Sequence, residues 1–491
     1  MLLLRLAAGL LLLLSTNLPA KDKEPTAPLD LGSRLELFVD GYLIESMTGL
    51  EQRLHHPVSA GKVLTLDKPW EGVTCDYQVV FKDGELYRMY YRGSSHQGYT
   101  IPSFLEPGEG VVPEHPQFAL YAESPDGLTW TRPELGLFEF NGSKRNNIVL
   151  VGGDNGAHNL APFRDQNPAA TEAQRYKAVA SGIRNRKAFL LGYVSPDGLR
   201  WTKIREEPII TDGKFDSLNV AFWDTIRKEY VAIYRDFQHG VRTIKAATSP
   251  DFVNWSPGEW GQFGDVERDH LYTNATTPYF RAPQIYLAFP RRYIPWKTRL
   301  SESPWPGASD TVFMTSRDGV HWDRRFMESF IRPGRQRRAW MHRTNLASWG
   351  VVPTASDEIS LYVLRERDFP SVHFERMVLR TDGFVSIRAG YPGGELVTRL
   401  FTFDGGALVL NFSTSAAGSI RLELQDINGH PVPGFSLADS PLIFGDEIEH
   451  RVEWKRPTGQ TDREPLKRLS GKPLRLRFVM KDADLYSIRF Q

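Results

Sequence analysis

SPDGLTW, Ser124 to Trp130, returns along the chain as SPDGLRW (Ser195 to Trp201), SPDFVNW (Ser249 to Trp255) and SRDGVHW (Ser316 to Trp322), with a worn fifth copy, RTDGFVS, from Arg380 to Ser386. The aspartates fall at Asp126, Asp197, Asp251, Asp318 and Asp382, 54 to 71 residues apart, which is room for one small antiparallel sheet per copy. Each copy reads as a hairpin: an apolar strand, an Asp-Gly turn that needs positive φ, and a second strand opened by an aromatic residue. The flanking runs YVAIY, LYRMYY, FALYA and LYVL are short, β-branched and aromatic, without the three-and-four spacing of a helix. The motif itself fastens hairpins and does no chemistry. The fold class that follows is all-β: a five-bladed β-propeller followed by a C-terminal antiparallel β-sandwich.

The 491 residues carry 60 basic and 59 acidic side chains, a net charge of +1, so no bulk charge points to nucleic acid as a partner. Residues 1–20 hold Arg5, a Leu/Ala run and Leu18-Pro19-Ala20, the pattern of a secretory signal peptide; the alternative is a retained N-terminal anchor. No later stretch is apolar for long enough to span a bilayer, so the mature chain is expected to be secreted or periplasmic, and monomeric. The single cysteine, Cys75, allows no internal disulfide and reads as buried packing. The expected division is a linker at 21–35, the propeller at 36–389 and the sandwich at 390–491, with ELFVDGYLIE, Glu36 to Glu45, closing the ring.

Each blade opens on a polar residue before its first strand, four end their second strand on charge while the second keeps only Ser181, and in an antiparallel hairpin both lie on one side. The openings are Asp76, Asn159, Asp216, the run Asp265 to His270, and Asn345; the charged ends are Arg92, Arg235-Asp236, Arg291-Arg292 and Arg365-Glu366. That face is the expected pocket. Asp76, Asp216 and either Glu267 or Asp269 form the candidate catalytic set, since glycosidic cleavage needs one carboxylate as base or nucleophile and another as proton donor. Asn159, Arg92, Arg235, Asp236, His270, Arg292, Asn345, Arg365 and Glu366 are the candidate substrate-binding residues. Each has a structural alternative: Asp76 or Asp216 capping a strand entry, Glu267 an exposed loop acid, Arg235 pairing with Asp236 and Arg365 with Glu366. Trp70, Tyr77, Trp223, Tyr272 and Trp340 lie near strand entries, mostly as core, with one or two available to stack on a sugar. No spaced His or Cys ligands suggest zinc, and no cofactor is expected.

In this arrangement the chain resembles glycoside hydrolase family 32, a five-bladed propeller followed by a β-sandwich, and the bare propeller of family 43. Asp76 in CDYQVVFKDGELYRMYY matches the aspartate ahead of the first inner strand in those families. The resemblance implies a transition-state-stabilising role for Asp216 and an acid at Glu267 or Asp269. The chain departs from the families in lacking a WMNDPNG-like sequence, a Glu-Cys pair at the acid, and Pro after Arg235-Asp236. Three readings follow: an exported glycoside hydrolase acting on a polysaccharide or oligosaccharide, a sialidase-like enzyme whose arginines clamp an acidic or sulfated sugar, and a non-catalytic carbohydrate-binding propeller.

Overall fold

The computed structural model describes residues 27–96, 105–303, 305–454 and 464–491; the signal-peptide reading of 1–20 lies outside them. At the first motif Asp126 Oδ1 accepts the amides of Leu128 and Thr129, both at 2.8 Å, and the Ser124 hydroxyl at 2.8 Å. Asp197, Asp251 and Asp318 repeat this on the amides two and three residues ahead. Gly127, Gly198 and Gly319 supply the positive φ of 74°, 78° and 81°. In the third copy Phe252 takes that place at φ 66°. A left-handed conformation costs a non-glycine residue roughly 1–2 kcal/mol, and Phe252 offsets it by burying its ring against Phe163 and Tyr230.

Around these turns stand five sheets. The first joins Asp76–Asp83, Leu86–Ser95, His115–Ser124 and Ile148–Val151; the second Ala161–Arg164, Tyr176–Arg184, Lys187–Ser195 and Thr202–Lys203. The third joins Val220–Asp224, Glu229–Gln238, Val241–Ser249 and Glu259–Trp260. The fourth joins Thr277–Tyr279, Ala282–Ala288, Met314–Ser316 and Trp322–Asp323. The fifth holds Leu346–Ala347 and Val352–Pro353, Glu358–Arg365, His373–Arg380 and, from the N-terminal side, Val58–Thr65.

Hydrogen bonds tie neighbouring sheets in a closed ring. Tyr90 Oη donates to Gly198 O, Tyr230 Oη to Asp165, Asn274 Nδ2 to Ile233 O, Trp349 Nε1 to Thr276 O and Tyr362 Oη to Gly127 O. The ring is therefore closed by Val58–Thr65 on His373–Arg380, and not by the stretch Glu36 to Glu45. Leu35–Leu37 pairs with Arg475–Phe490, and Ile44–Thr48 with Gly394–Thr398. The alternating pattern of the early stretch marks a strand without marking its partner, since backbone pairing carries no label in the side chains.

Those strands, with Leu50–Leu54, Val385–Ala389, Leu408–Gln425 and Asp446–Arg451, make the eight-stranded sheet of the second unit. Its own core includes Leu396, Leu410, Phe412, Leu422, Phe478 and Leu485. The boundaries expected at 35 and 389 move accordingly: among the described residues, 29–54 belong to this unit, 58–380 circle the ring, and the chain then returns to the unit. Leu29–Gly32, inside the expected linker, is itself a strand paired in parallel with Phe401–Phe403.

The worn fifth motif marks the junction. Asp382, fully buried at φ 61°, accepts from Tyr279 Oη at 2.7 Å, Ser487 Oγ at 3.0 Å and Asn411 Nδ2 at 3.3 Å, and pairs with Arg281 at 3.0 Å. It binds the fourth sheet to the second unit instead of closing a hairpin turn.

Candidate active site

The inner strand of the first sheet begins with a bulge. Asp76 lies opposite Arg92, the register then slips before Val79, and Tyr77 between them sits at φ 59°. A bulge adds twist and re-aims side chains, and here it turns Asp76 and Tyr77 toward the ring axis. They line a cavity of about 130 Å³ with Arg92, His96, Gln117, His158, Asp216, Tyr272, Arg343 and Arg367. Arg343, Asn345, Glu366 and Asp368 at the same end also have positive φ, from 53° to 74°. Strained non-glycine backbone concentrates where geometry serves a function.

Asp76 is 2% exposed. One backbone amide, that of Tyr77, donates to it at 3.2 Å, and three guanidiniums approach: Arg367 at 3.4 Å, Arg291 at 3.7 Å and Arg92 at 3.8 Å. Asp216 differs: 65% of its side-chain surface is open, onto the cavity. His158 Nε2 lies 3.1 Å from its Oδ1, and Arg235 4.0 Å from its Oδ2. Burial within the ring works against the Asp216 charge, but the His158 bond, Arg235 and Arg92 override it and hold the carboxyl well below the usual carboxylate range. Burial also lowers His158, which stays neutral. Arg92 Nη1 lies 3.3 Å from His158 Nδ1. Gln117 Oε1 lies 3.0 Å from the same Nδ1, so the hydrogen is placed by the other ring nitrogen: an ionised Asp216 can only accept, and Nε2 donates to it. Tyr77 is pushed well above the ordinary phenol range by burial and remains protonated.

Behind the wall the field is positive. Arg291, Arg235 and Arg242 stand over the Tyr272 ring at 4.5, 5.2 and 5.3 Å. Buried His342 is lowered first by desolvation and then by Arg291, Arg343, Arg242 and Arg367. Asp368 is fully buried, accepts from Arg367 Nη1 at 2.8 Å, and is raised by that burial; its Oδ2 has no hydrogen-bond partner.

Of the residues singled out from sequence, Asp76, Tyr77, Arg92, Asp216 and Tyr272 line this cavity, and Arg235 adjoins it through Asp216. Glu267 and Asp269 do not line it. Glu267 is exposed, and Asp269 faces a separate cavity between the third and fourth sheets, paired with Arg324 at 2.8 Å and Arg292 at 3.5 Å. The physical reason is position: His270–Leu271 pairs with Arg291–Ile294 and continues the fourth blade's inner hairpin, so the strand reaches the cavity at Tyr272, and Asp269 and Glu267 lie three and five residues short of it. His270 stays with that pairing, its Nδ1 accepting from the amide of Arg242 at 3.2 Å.

Asn159 and Asn345 are buried and bonded to main chain. Asn159 reaches Phe215 O at 2.9 Å, and Asn345 reaches Ser309 O and Ala339 O at 2.9 and 2.8 Å. Arg292 is held by Asp310 at 2.7 Å, and Asp236 pairs with Lys245 at 3.5 Å instead of with Arg235. Arg365 pairs with Glu375 and faces another cavity beside His56 and His373; Glu366 is buried off the axis at φ 53°. His158, Arg343, Arg367, His96 and Gln117 were not singled out from sequence, although His158 stands one residue before Asn159 and Arg367 two after Arg365.

Among the described residues no group of His, Cys, Asp and Glu is arranged to hold a metal ion, and no helix is long and apolar enough to cross a membrane. No family model and no curated protein matches the chain. Solved structures do. A fructofuranosidase from Schwanniomyces occidentalis matches at 11% identity over 87% of this chain and 96% of that one, with a TM-score of 0.42. A family 32 β-fructofuranosidase from Bombyx mori matches at 9% identity, 87% and 94% coverage and a TM-score of 0.41. A β-1,2-mannobiose phosphorylase from Listeria innocua matches at 11% identity, 66% and 96% coverage and a TM-score of 0.44. The function is accordingly read from the cavity's own residues.

Proposed function

We propose that the protein cleaves glycosidic bonds of an oligosaccharide or polysaccharide at the axial cavity. The observation that carries this reading is the pairing of Asp76 with a second carboxylate, Asp216, which is held anionic yet open to the cavity. An anionic carboxylate beside the sugar serves as base, nucleophile or stabiliser of an oxocarbenium-like transition state. Asp76, drawn among three guanidiniums, orients Arg92 and Arg367 around that point. Tyr77 and Tyr272 offer ring surface in the same wall. Export by cleavage near Ala20 and a monomeric state belong to the same proposal; N-terminal sequencing of the exported protein and its mass in solution test them.

Digestion of a glycan panel by wild type and Asp216→Asn tests the central claim. The expected result is cleavage of at least one glycan by wild type and a loss of at least about 100-fold in the variant, the scale of an acid–base contribution. Equal activity in the two proteins, or no cleavage by wild type, overturns it.

A further inference from the structure

Arg291 is 0% exposed, and none of its three side-chain nitrogens has a hydrogen-bond partner. It lies 3.7 Å from Asp76 and 4.5 Å from the centre of the Tyr272 ring, two residues of the cavity wall. Arg92 and Arg367 approach the same carboxylate at 3.8 and 3.4 Å, beyond ordinary hydrogen-bond contact. Arg235 and Arg242 complete the group around Tyr272, and Arg343 reaches the cavity from the side, its guanidinium 3.5 Å over the Trp305 ring. Six guanidiniums thus surround three carboxylates, Asp76, Asp216 and Asp368. Guanidiniums cannot give up their protons, so the excess charge is permanent and a buried excess of charge calls for an anion.

We propose that the axial cavity receives the acidic group of a charged sugar, a carboxylate or a sulfate, with Arg343, Arg92 and Arg367 contacting it and Arg291 adding positive field from behind. The inference rests on the carbohydrate reading above and names its substrate class. Planar guanidiniums suit both oxyanions, which they bind through paired donors. A neutral sugar would leave the arginine donors facing hydroxyls and the excess charge in place.

The test is calorimetric binding of glucuronate, glucose 6-sulfate and glucose to the wild-type protein at low and high salt, beside Arg343→Gln and the charge-keeping Arg343→Lys. Digestion of uronate-containing, sulfated and neutral oligosaccharides runs in parallel. One or both acidic sugars are expected to bind at least about tenfold more tightly than glucose, and the two acids separate a carboxylate site from a sulfate site. Arg343→Gln is expected to weaken acid-sugar binding by about 10- to 100-fold, the worth of a hydrogen bond to a charged group, with Arg343→Lys in between. Should Arg343→Gln fail to fold, the salt dependence and the lysine variant still decide, because an ionic contact weakens with salt. Equal binding of acidic and neutral sugars, or cleavage confined to neutral oligosaccharides, overturns the acidic-substrate inference and leaves the glycosidase reading standing. Tight acid-sugar binding without cleavage of any glycan supports the inference and overturns the enzyme reading. Absence of both binding and cleavage overturns both.

Discussion

Exchanging His158 for glutamine and for alanine isolates the bond that holds Asp216. His158 Nε2 donates to Asp216 Oδ1 at 3.1 Å, and a hydrogen bond to a charged group is worth about 1.5–3 kcal/mol. With 65% of the Asp216 side chain exposed, solvent screens the interaction, and about 1 kcal/mol is the figure to expect. Glutamine can keep an amide donor near the Nε2 position, whereas alanine keeps none. Both variants lack the imidazole, so the titration of His158 itself drops out of their difference.

The sign follows from the direction of the Asp216 shift. Its folded value is depressed, so the bond contributes stability that is present above the unfolded aspartate value, about 3.9, and lost as pH falls toward the folded value. Urea unfolding of the two variants at pH 7 and in steps down to pH 2 reads the effect directly. The advantage of glutamine over alanine is expected to hold from pH 7 to about 3.9 and to shrink by about 1 kcal/mol only below it, as pH falls through the depressed folded values of Asp216. An advantage at pH 2 equal to that at pH 7 would refute the claim that His158 sets the charge state of Asp216.

Three further outcomes follow from the same structure. Asp382→Ala strands Tyr279, Arg281 and Ser487 at the junction of ring and second unit, so thermal or urea unfolding is expected to show a loss of about 3–5 kcal/mol, the scale for breaking a buried ion pair. Because Glu267 and Asp269 lie outside the axial cavity, Glu267→Gln is expected to leave the wild-type rate on any glycan the protein cleaves within about twofold. Asp269→Asn, which releases Arg324 and Arg292, is expected to lower thermal stability with little effect on rate at a temperature where the protein remains folded.

The repeat was legible because a turn that needs Asp, Ser and positive φ leaves those residues in print at fixed offsets. Asp126, Asp197, Asp251 and Asp318 show one geometry four times. The fifth copy looked like a decayed turn because a sequence cannot show that Asp382 had exchanged amide partners for Tyr279 and Arg281. Closure of the ring was legible only as a need: Glu36 to Glu45 reads as a strand, but its partner is set by backbone pairing across hundreds of residues, which gives Leu35–Leu37 to Arg475–Phe490 and leaves closure to Val58–Thr65. At the site, Asp76 and Asp216 were found by their place before an inner strand. Glu267 and Asp269 failed the same rule because the fourth blade's inner strand meets the cavity only at Tyr272, five and three residues further on.

The amides at the strand entries, of which Asn159 and Asn345 were singled out from sequence, explain why His158 and Arg343 were missed by one and two positions. Gln78, Asn159, Asn219, Asn274 and Asn345, one from each blade, all turn inward to backbone carbonyls: Leu346 O, Phe215 O, Phe215 O, Ile233 O and Ser309 O. A buried amide left unpaired would be expensive, so each is fixed by its bonds and fixes the strand entry in turn. The cavity residues stand one to three positions ahead of these amides: Asp76 and Tyr77 before Gln78, His158 before Asn159, Asp216 before Asn219, Tyr272 before Asn274, Arg343 before Asn345. A side chain bonded into the wall cannot also face the axis. The anchor and the functional group must therefore be different residues, and their short separation is what lets the anchor hold the functional group in place. Every blade thus supplies both parts, which is why a cavity built from five separate strands brings Asp216 and the arginines to one point.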